Sequence, residues 1–228
     1  MQFRQQRDLF RKTAGFVPVL AVAATICGSA ARPDAAAPAG IVVSPADLGA
    51  WQEQAFVGHT LYRVEDGGKG RALHALADGN ASGLCRTAAI DLKALPIVRW
   101  RWRLDRAPQR TDERGRDGDD QALRVSFLHR NGTSAGSILA VQYVWSQNEP
   151  AGARWANAFV PNAEEIAARS GPAQPGIWRA ERRDLLQDFR AAFGEDIDRV
   201  DAVCIMTDGD QTGALVEAWY GDIILQAR

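Results

Sequence analysis

The sequence predicts a mainly β protein, an antiparallel jelly-roll-like β-sandwich with one short amphipathic helix near residues 181–193. Three observations point there. Roughly ten short strand-like runs alternate with turn signals at about 8–12-residue spacing. One of them, Leu95 to Leu104, alternates with period two: Val98, Trp100, Trp102 and Leu104 share one face, and Arg99, Arg101 and Arg103 share the other. The long helices that a doubly wound α/β fold needs between its strands are missing.

The N-terminus is a separate object. Arg4, Arg7, Arg11 and Lys12 face a single acid, Asp8, and an apolar run from Ala14 to Ala30 ends in Gly28-Ser-Ala-Ala31. A basic region, an apolar region and a small-residue cleavage site describe a secretory signal peptide over 1–30. Gly28 and Ser29 cut the run short of the roughly 20 apolar residues of a membrane span. Ile26 precedes Cys27 where a lipoprotein signal wants a small residue. Residues 31–40 are rich in Ala and Pro and read as a linker. A single β-sandwich domain is expected over 41–228.

Within that domain Leu61-Tyr-Arg-Val64 and Arg71 to Leu76 flank the turn Asp66-Gly-Gly-Lys-Gly70. This Gly-rich turn sits in a hairpin and not before a helix, so it is not read as a phosphate loop. Leu95–Leu104 follows, then Gln121–His129, Ser137–Ser146, Ala202–Met206 and Ala214–Leu225, the last broken by Gly221. Over Glu181–Gly194, Leu185, Phe189 and Phe193 recur every four residues, and Gly194 fits a helix C-cap. Ala163–Arg169 is expected to add a second helical turn. Cys85 and Cys204 each lie in a strand-like run, so a disulfide in an oxidising compartment and two buried thiols both fit.

Composition excludes several functions. The 228 residues are 46% hydrophobic, enough for a sizeable core, and the net charge of -1 is no nucleic-acid footprint. The three His, at 59, 74 and 129, are dispersed, which leaves no zinc spacing. No nucleophile elbow, Walker loop or dinucleotide fingerprint appears.

Two resemblances add to this. The strand order, closing in Trp219-Tyr-Gly-Asp-Ile-Ile-Leu225, resembles galactose-binding-like jelly rolls. A sharper set comprises Trp100-Arg-Trp102, Gly118-Asp-Asp120 with Arg124, and Tyr143-Val-Trp145. It continues through Glu181-Arg182, Asp188-Phe-Arg190, Phe193-Gly194, Met206 to Gly213 and Ala218-Trp-Tyr-Gly-Asp-Ile223. In that order these resemble the bacterial domain-of-unknown-function family numbered three thousand and forty-seven. This chain has Gln211 where that family usually has Asn, and Gly209 where it often has another residue. The resemblance implies an exported single-domain protein and no particular activity.

The candidate ligand-binding residues are Asp119, Asp120, Arg124, Trp145, Arg182, Asp188, Asp208 and Asp210. Asp120 and Arg124, read along one strand, point to the same face about 13 Å apart. The loop Thr207 to Gly213 offers oxygen donors, and Asp208-x-Asp210 shares EF-hand spacing. The Glu expected twelve positions on is absent, so no metal and no cofactor are assigned. Should the four Asp converge, two carboxylates about 5–9 Å apart would suit glycoside hydrolysis. Glu181, Arg182, Arg183, Asp184 and Asp188 read as solvated helix charges or, for Arg182 and Asp188, as a buried tie to the sheet. Trp100 and Trp102 read as core, and Trp219 as packed inside. Trp145, at a strand end, is the preferred platform for a sugar ring, followed by Trp155 and Trp178.

The expected function is therefore binding of a carbohydrate or similar polar ligand at a sandwich rim by an exported, periplasmic protein. No nucleic-acid partner is expected, and no membrane association once the leader is removed. The rivals are a cell-envelope glycan hydrolase or lyase using the acidic cluster, and an envelope partner-binding domain with no small ligand. The residues alone leave catalysis open.

Overall fold

A computed structural model describes residues 40–109, 112–132, 137–194 and 197–228. The expected signal peptide, and the expected linker up to residue 39, lie outside the described residues. Two sheets face each other. The six-stranded sheet runs β11 (Arg179–Asp184), β6 (Ile97–Arg106), β13 (Leu215–Gln226), β4 (Arg71–Asp78), β3 (Leu61–Asp66), with β1 (Ile41–Val43) also on β13. The seven-stranded sheet runs β2 (Gln52–Val57), β5 (Ala81–Asp91), β12 (Arg199–Asp208), β7 (Arg124–Arg130), β8 (Ile138–Ser146), β10 (Ala163–Ser170), β9 (Arg154–Ala156). The pairings are antiparallel apart from β8 with β10, which is parallel. This is the jelly-roll-like sandwich that the alternation predicts.

The core lies between the sheets. Val98, Trp100, Trp102 and Leu104 of β6 are buried there. The Trp100 ring stacks on Tyr143 of β8 at 5.0 Å between centroids, and Trp102 meets Trp145 at 6.1 Å. Aromatic pairs at these separations add to what their buried area already contributes. Cys85 and Cys204 stand opposite each other on β5 and β12 and form a disulfide.

The helix is shorter than expected. Residues 181–184 belong to β11, and α1 spans Leu185–Phe193. The side chain of Asp184 accepts from the Gln187 N–H at 3.1 Å and so caps the helix at its true start. Gly194 ends it at φ 68°, a left-handed conformation that favours Gly. Leu185 and Phe189 are buried in the core. Glu181 needs the strand: it accepts from Trp102 Nε1 at 3.1 Å and from Arg169 at 2.6 Å. The second expected helix is also a strand. Ala163–Arg169 lies in β10 between β8 and β9, where two ladders of hydrogen bonds override the helix propensity of Ala and Glu. No helix among the described residues is long and apolar enough to cross a membrane.

Candidate functional site

Two polar constellations stand outside the core, one on each sheet. The first covers the seven-stranded sheet, where the segment before β7 folds back over the sheet's outer face. Arg124 opens β7 and is 6% exposed. Its Nη2 lies 3.1 Å from Asp119 Oδ1 and 3.0 Å from Glu165 Oε1 of β10. Asn157 Nδ2 donates to the same Glu165 oxygen at 3.0 Å. Beside this group Asp120 anchors the loop after β12. It accepts from the N–H groups of Gln211 (3.0 Å) and Thr212 (2.7 Å) and from the Thr212 hydroxyl. Carboxylate oxygens of Asp120, Asp208 and Asp210 all lie within 4.8 Å of one another. The loop packs closely at Gly209, where a Cβ would stand 2.8 Å from the Ala214 carbonyl oxygen.

Two carboxyls, Asp119 and Glu165, therefore hold one buried guanidinium, with Asp208 near enough to act on its charge. Burial opposes the charge of Arg124, but Asp119, Glu165 and Asp208 together raise its pKa. Burial raises the Glu165 carboxyl to about 7; Arg124 opposes the rise and Asp119 adds to it. Asp208 is pushed up to about 9, first by burial, then by its hydrogen bond with Asp210 and by repulsion from Asp210 and Asp120. Asp119 is also raised by burial, against the pull of Arg124. Asp120, Asp208 and Asp210 could hold a hard cation by charge and spacing. Hydrogen bonds to the 208–213 loop already engage Asp120 and tie Asp210 to Gln211 at 2.7 Å.

A pH dependence follows. Folded Glu165 and Asp208 hold protons that the unfolded chain releases above about pH 4. Their contribution to stability is fully present near pH 4 and is lost as pH rises through about 7 and about 9. Thermal unfolding should show a higher Tm at pH 5.5 than at pH 9, a loss on the order of several kcal/mol. Asp208→Asn should flatten the upper part of that slope. A Tm that rises between the two pH values contradicts the burial argument.

The structure divides the predicted site. It brings Asp119, Asp120, Arg124, Asp208 and Asp210 together, but β7 begins only at Arg124. Residues 119–121 are therefore loop, and Asp119, not Asp120, meets the guanidinium. Trp145 is no platform: it is 2% exposed. Its face of β8 carries Val141 and Tyr143 into the core, and its Nε1 donates to the Gly171 carbonyl at 2.9 Å. Asp188 is a buried tie. It accepts from Tyr143 Oη (2.7 Å), Arg154 (3.0 Å) and Arg183 (2.7 Å). Arg183, not Arg182, supplies that tie; Arg182 is exposed and lines a shallow hollow of about 280 Å³ with Gln187.

The second constellation lies on the outer face of the six-stranded sheet; of the ligand-binding and platform candidates singled out in the sequence only Trp178, a lesser platform candidate, belongs to it. An open cleft of about 760 Å³ is walled by Ser44, Asp47 and Leu48 on one side and by Val64, Lys69, Gly70 and Arg71 of the β3–β4 hairpin on the other. Arg101 and Asp222 form its floor. Gly221 makes the floor feasible: a Cβ there would stand 2.5 Å from the Arg101 side chain, which crosses it to donate to the Lys69 carbonyl at 2.9 Å. From the cleft edge a cation–aromatic ladder extends along the sheet. Arg101 lies 4.9 Å over Trp178, Arg103 lies 4.2 Å over Trp219, and His74 stacks on Trp219 at 4.2 Å. Trp219 is thus buried, but on the face of β13 turned away from the core. Two signals could have found this face: the Arg99-Arg101-Arg103 alternation, and the Gly221 that interrupts the last strand.

Fold and site define a class: a jelly-roll-like sandwich with a closed acidic cluster over one sheet and an open polar cleft on the other. The chain belongs to the family described as Protein of unknown function (DUF3047), whose family model matches residues 49–224. A search of curated proteins found no match. Among solved structures, the chain is similar to a thermostable cellulase derived from Cel12A of Rhodothermus marinus (14% identity, TM-score 0.40, 81% of this chain and 99% of that one). It is similar to winged bean acidic lectin complexed with methyl-α-D-galactose (10%, TM-score 0.39, 83% and 99%). It is also similar to the glycoside hydrolase domain of Endo-D from Streptococcus pneumoniae R6 (8%, TM-score 0.38, 77% and 21%), and so spans about a fifth of that last chain. Similarity at this level transfers neither ligand nor activity.

Proposed function

We propose that this chain is an exported, periplasmic carbohydrate-binding domain, and that its ligand occupies the cleft on the six-stranded sheet. The cleft carries this reading. Its volume suits a small saccharide. Donors (Lys69, Arg71, Arg101) and acceptors (Asp47, Asp222) line one surface, with the half-buried Trp178 at its edge under Arg101. Hydroxyl-rich ligands need both polarities and an apolar ring face. Export is supported by the leader-like N-terminus and by the Cys85–Cys204 disulfide, since disulfides persist in oxidising compartments. Catalysis through the acidic cluster has less support. Asp120 and Asp208 are 1% and 4% exposed, and neither cavity described above is lined by them. One observation favours partner binding as a second reading: Phe56 and Val57, on edge strand β2, are 60% and 48% exposed.

Calorimetric titration against a panel of neutral and acidic oligosaccharides tests the proposal. Binding to at least one class is expected, weakened about tenfold or more in Arg101→Ser and Trp178→Ala, the loss of one or two good contacts. Folded protein that binds none of the panel would sink the carbohydrate reading.

A further inference from the structure

We infer that the cleft selects an anionic saccharide, one carrying a carboxylate, sulfate or phosphate group; this rests on the carbohydrate reading above and narrows its ligand class. The charges at the cleft wall favour an anion. Three cations face the opening: Lys69, Arg71 and Arg101. Lys69 and Arg71 are exposed, and neither side chain has a hydrogen-bond or ion-pair partner among the described residues. The lining's two acids, Asp47 and Asp222, leave a net charge of +1 against its three cations, and each has a protein partner. Asp222 accepts from the Ser44 hydroxyl at 2.5 Å, and Asp47 lies 3.5 Å from Arg86. Asp66, cross-strand from Arg71, accepts from the Gly68 N–H at 2.9 Å. Arg103, Arg114, Arg124, Arg154, Arg169, Arg183, Arg199 and Arg228 have carboxylate partners, whereas the exposed Arg63, Arg99, Arg106, Arg130 and Arg182 stand singly, away from the cleft. Two cations without a partner, Lys69 and Arg71, therefore stand side by side at the cleft wall, next to Arg101. The acceptors that remain suit hydroxyl donors, so the site fits a charged sugar better than a bare anion. Side chains, and not a Gly-rich backbone nest, supply the attraction; this agrees with the absence of a helix after Gly70.

The test uses the full chain and a matched pair of ligands, trigalacturonate and its fully methyl-esterified form. The pair shares one sugar backbone and differs in charge. A sulfated heparin disaccharide and inorganic phosphate complete the set. The acidic trisaccharide or the sulfated disaccharide should bind about tenfold more tightly than the ester at low salt, since two or three exposed charge pairs contribute a fraction of a kcal/mol each. The advantage should shrink at 0.5 M NaCl. Lys69→Ser with Arg71→Ser, both exposed positions, should abolish the preference while leaving Tm unchanged. Ester binding that equals acid binding, with both lost in Arg101→Ser, overturns the anionic preference and leaves carbohydrate binding standing. Inorganic phosphate that binds as tightly as the charged sugars overturns the saccharide and keeps only an anion. No binding by any charged probe overturns the inference, and the neutral members of the oligosaccharide panel then decide the function separately.

Discussion

Replacing Arg124 with Met should destabilise the domain by about 3–5 kcal/mol, because removing one member of a buried ionic group leaves the others uncompensated. The stranded groups are Asp119 and Glu165, both buried and within 3.1 Å of the guanidinium. Met roughly matches the volume of the arginine stem, so a cavity is a small part of the loss. The deficit should depend on pH. Burial holds Glu165 at about 7 even with Arg124 present, so at pH 5 the carboxyl can be neutral and the variant should recover part of its loss. Urea unfolding at pH 5 and pH 8 measures both. Adding Asp119→Asn and Glu165→Gln to the variant should restore stability, since the uncompensated charges go with the cation. A deficit under about 1 kcal/mol, the scale of an exposed pair, would mean that the cluster is hydrated and not closed.

Loss of the disulfide should be of similar size. Cys85 and Cys204 are 119 residues apart in sequence. Cross-linking a loop of that length restricts the unfolded chain by an amount corresponding to about 3–5 kcal/mol. The bond joins β5 to β12, the second and third strands of the seven-stranded sheet, and β6 to β11 all fold within the closed loop. The double variant Cys85→Ala, Cys204→Ala should unfold at markedly lower urea than the oxidised protein, and dithiothreitol should lower the oxidised protein's midpoint toward the same value. A midpoint insensitive to reductant would show that the bond does not form in solution.

Much of the fold was legible because its signals are local. The Val98–Leu104 alternation identifies the core face of β6, and Gly194 marks the helix end. The helix start was missed because Glu181–Asp184 carries charges at a spacing that suits either structure. Only the partners across the sheet, Trp102 and Arg169, decide for strand. Ala163–Arg169 failed for the same reason, since β8 and β9 on either side set its conformation. The acidic cluster was half legible. Asp120 and the 208–210 loop were picked out separately, but Glu165 carried no signal, because a single acid in an Ala-rich run looks solvated until β10 places it beside Arg124. Trp145 misled because a strand end in sequence was taken for a rim in space. The cleft was least legible. Its walls come from the segment after β1, the β3–β4 hairpin, β6 and β13, and no motif spans that much sequence.

On the proposed function, ligand enters at the six-stranded sheet and not at the acidic cluster. A ¹⁵N-correlated NMR titration with trigalacturonate tests it most directly. Shifts are expected at the amides of Lys69, Gly70, Arg71 and Asp222 and at the Trp178 indole, with Asp208 to Gly213 unmoved. Shifts confined to Asp208 to Gly213, with the β3–β4 hairpin silent, would contradict it and move the site to the other sheet.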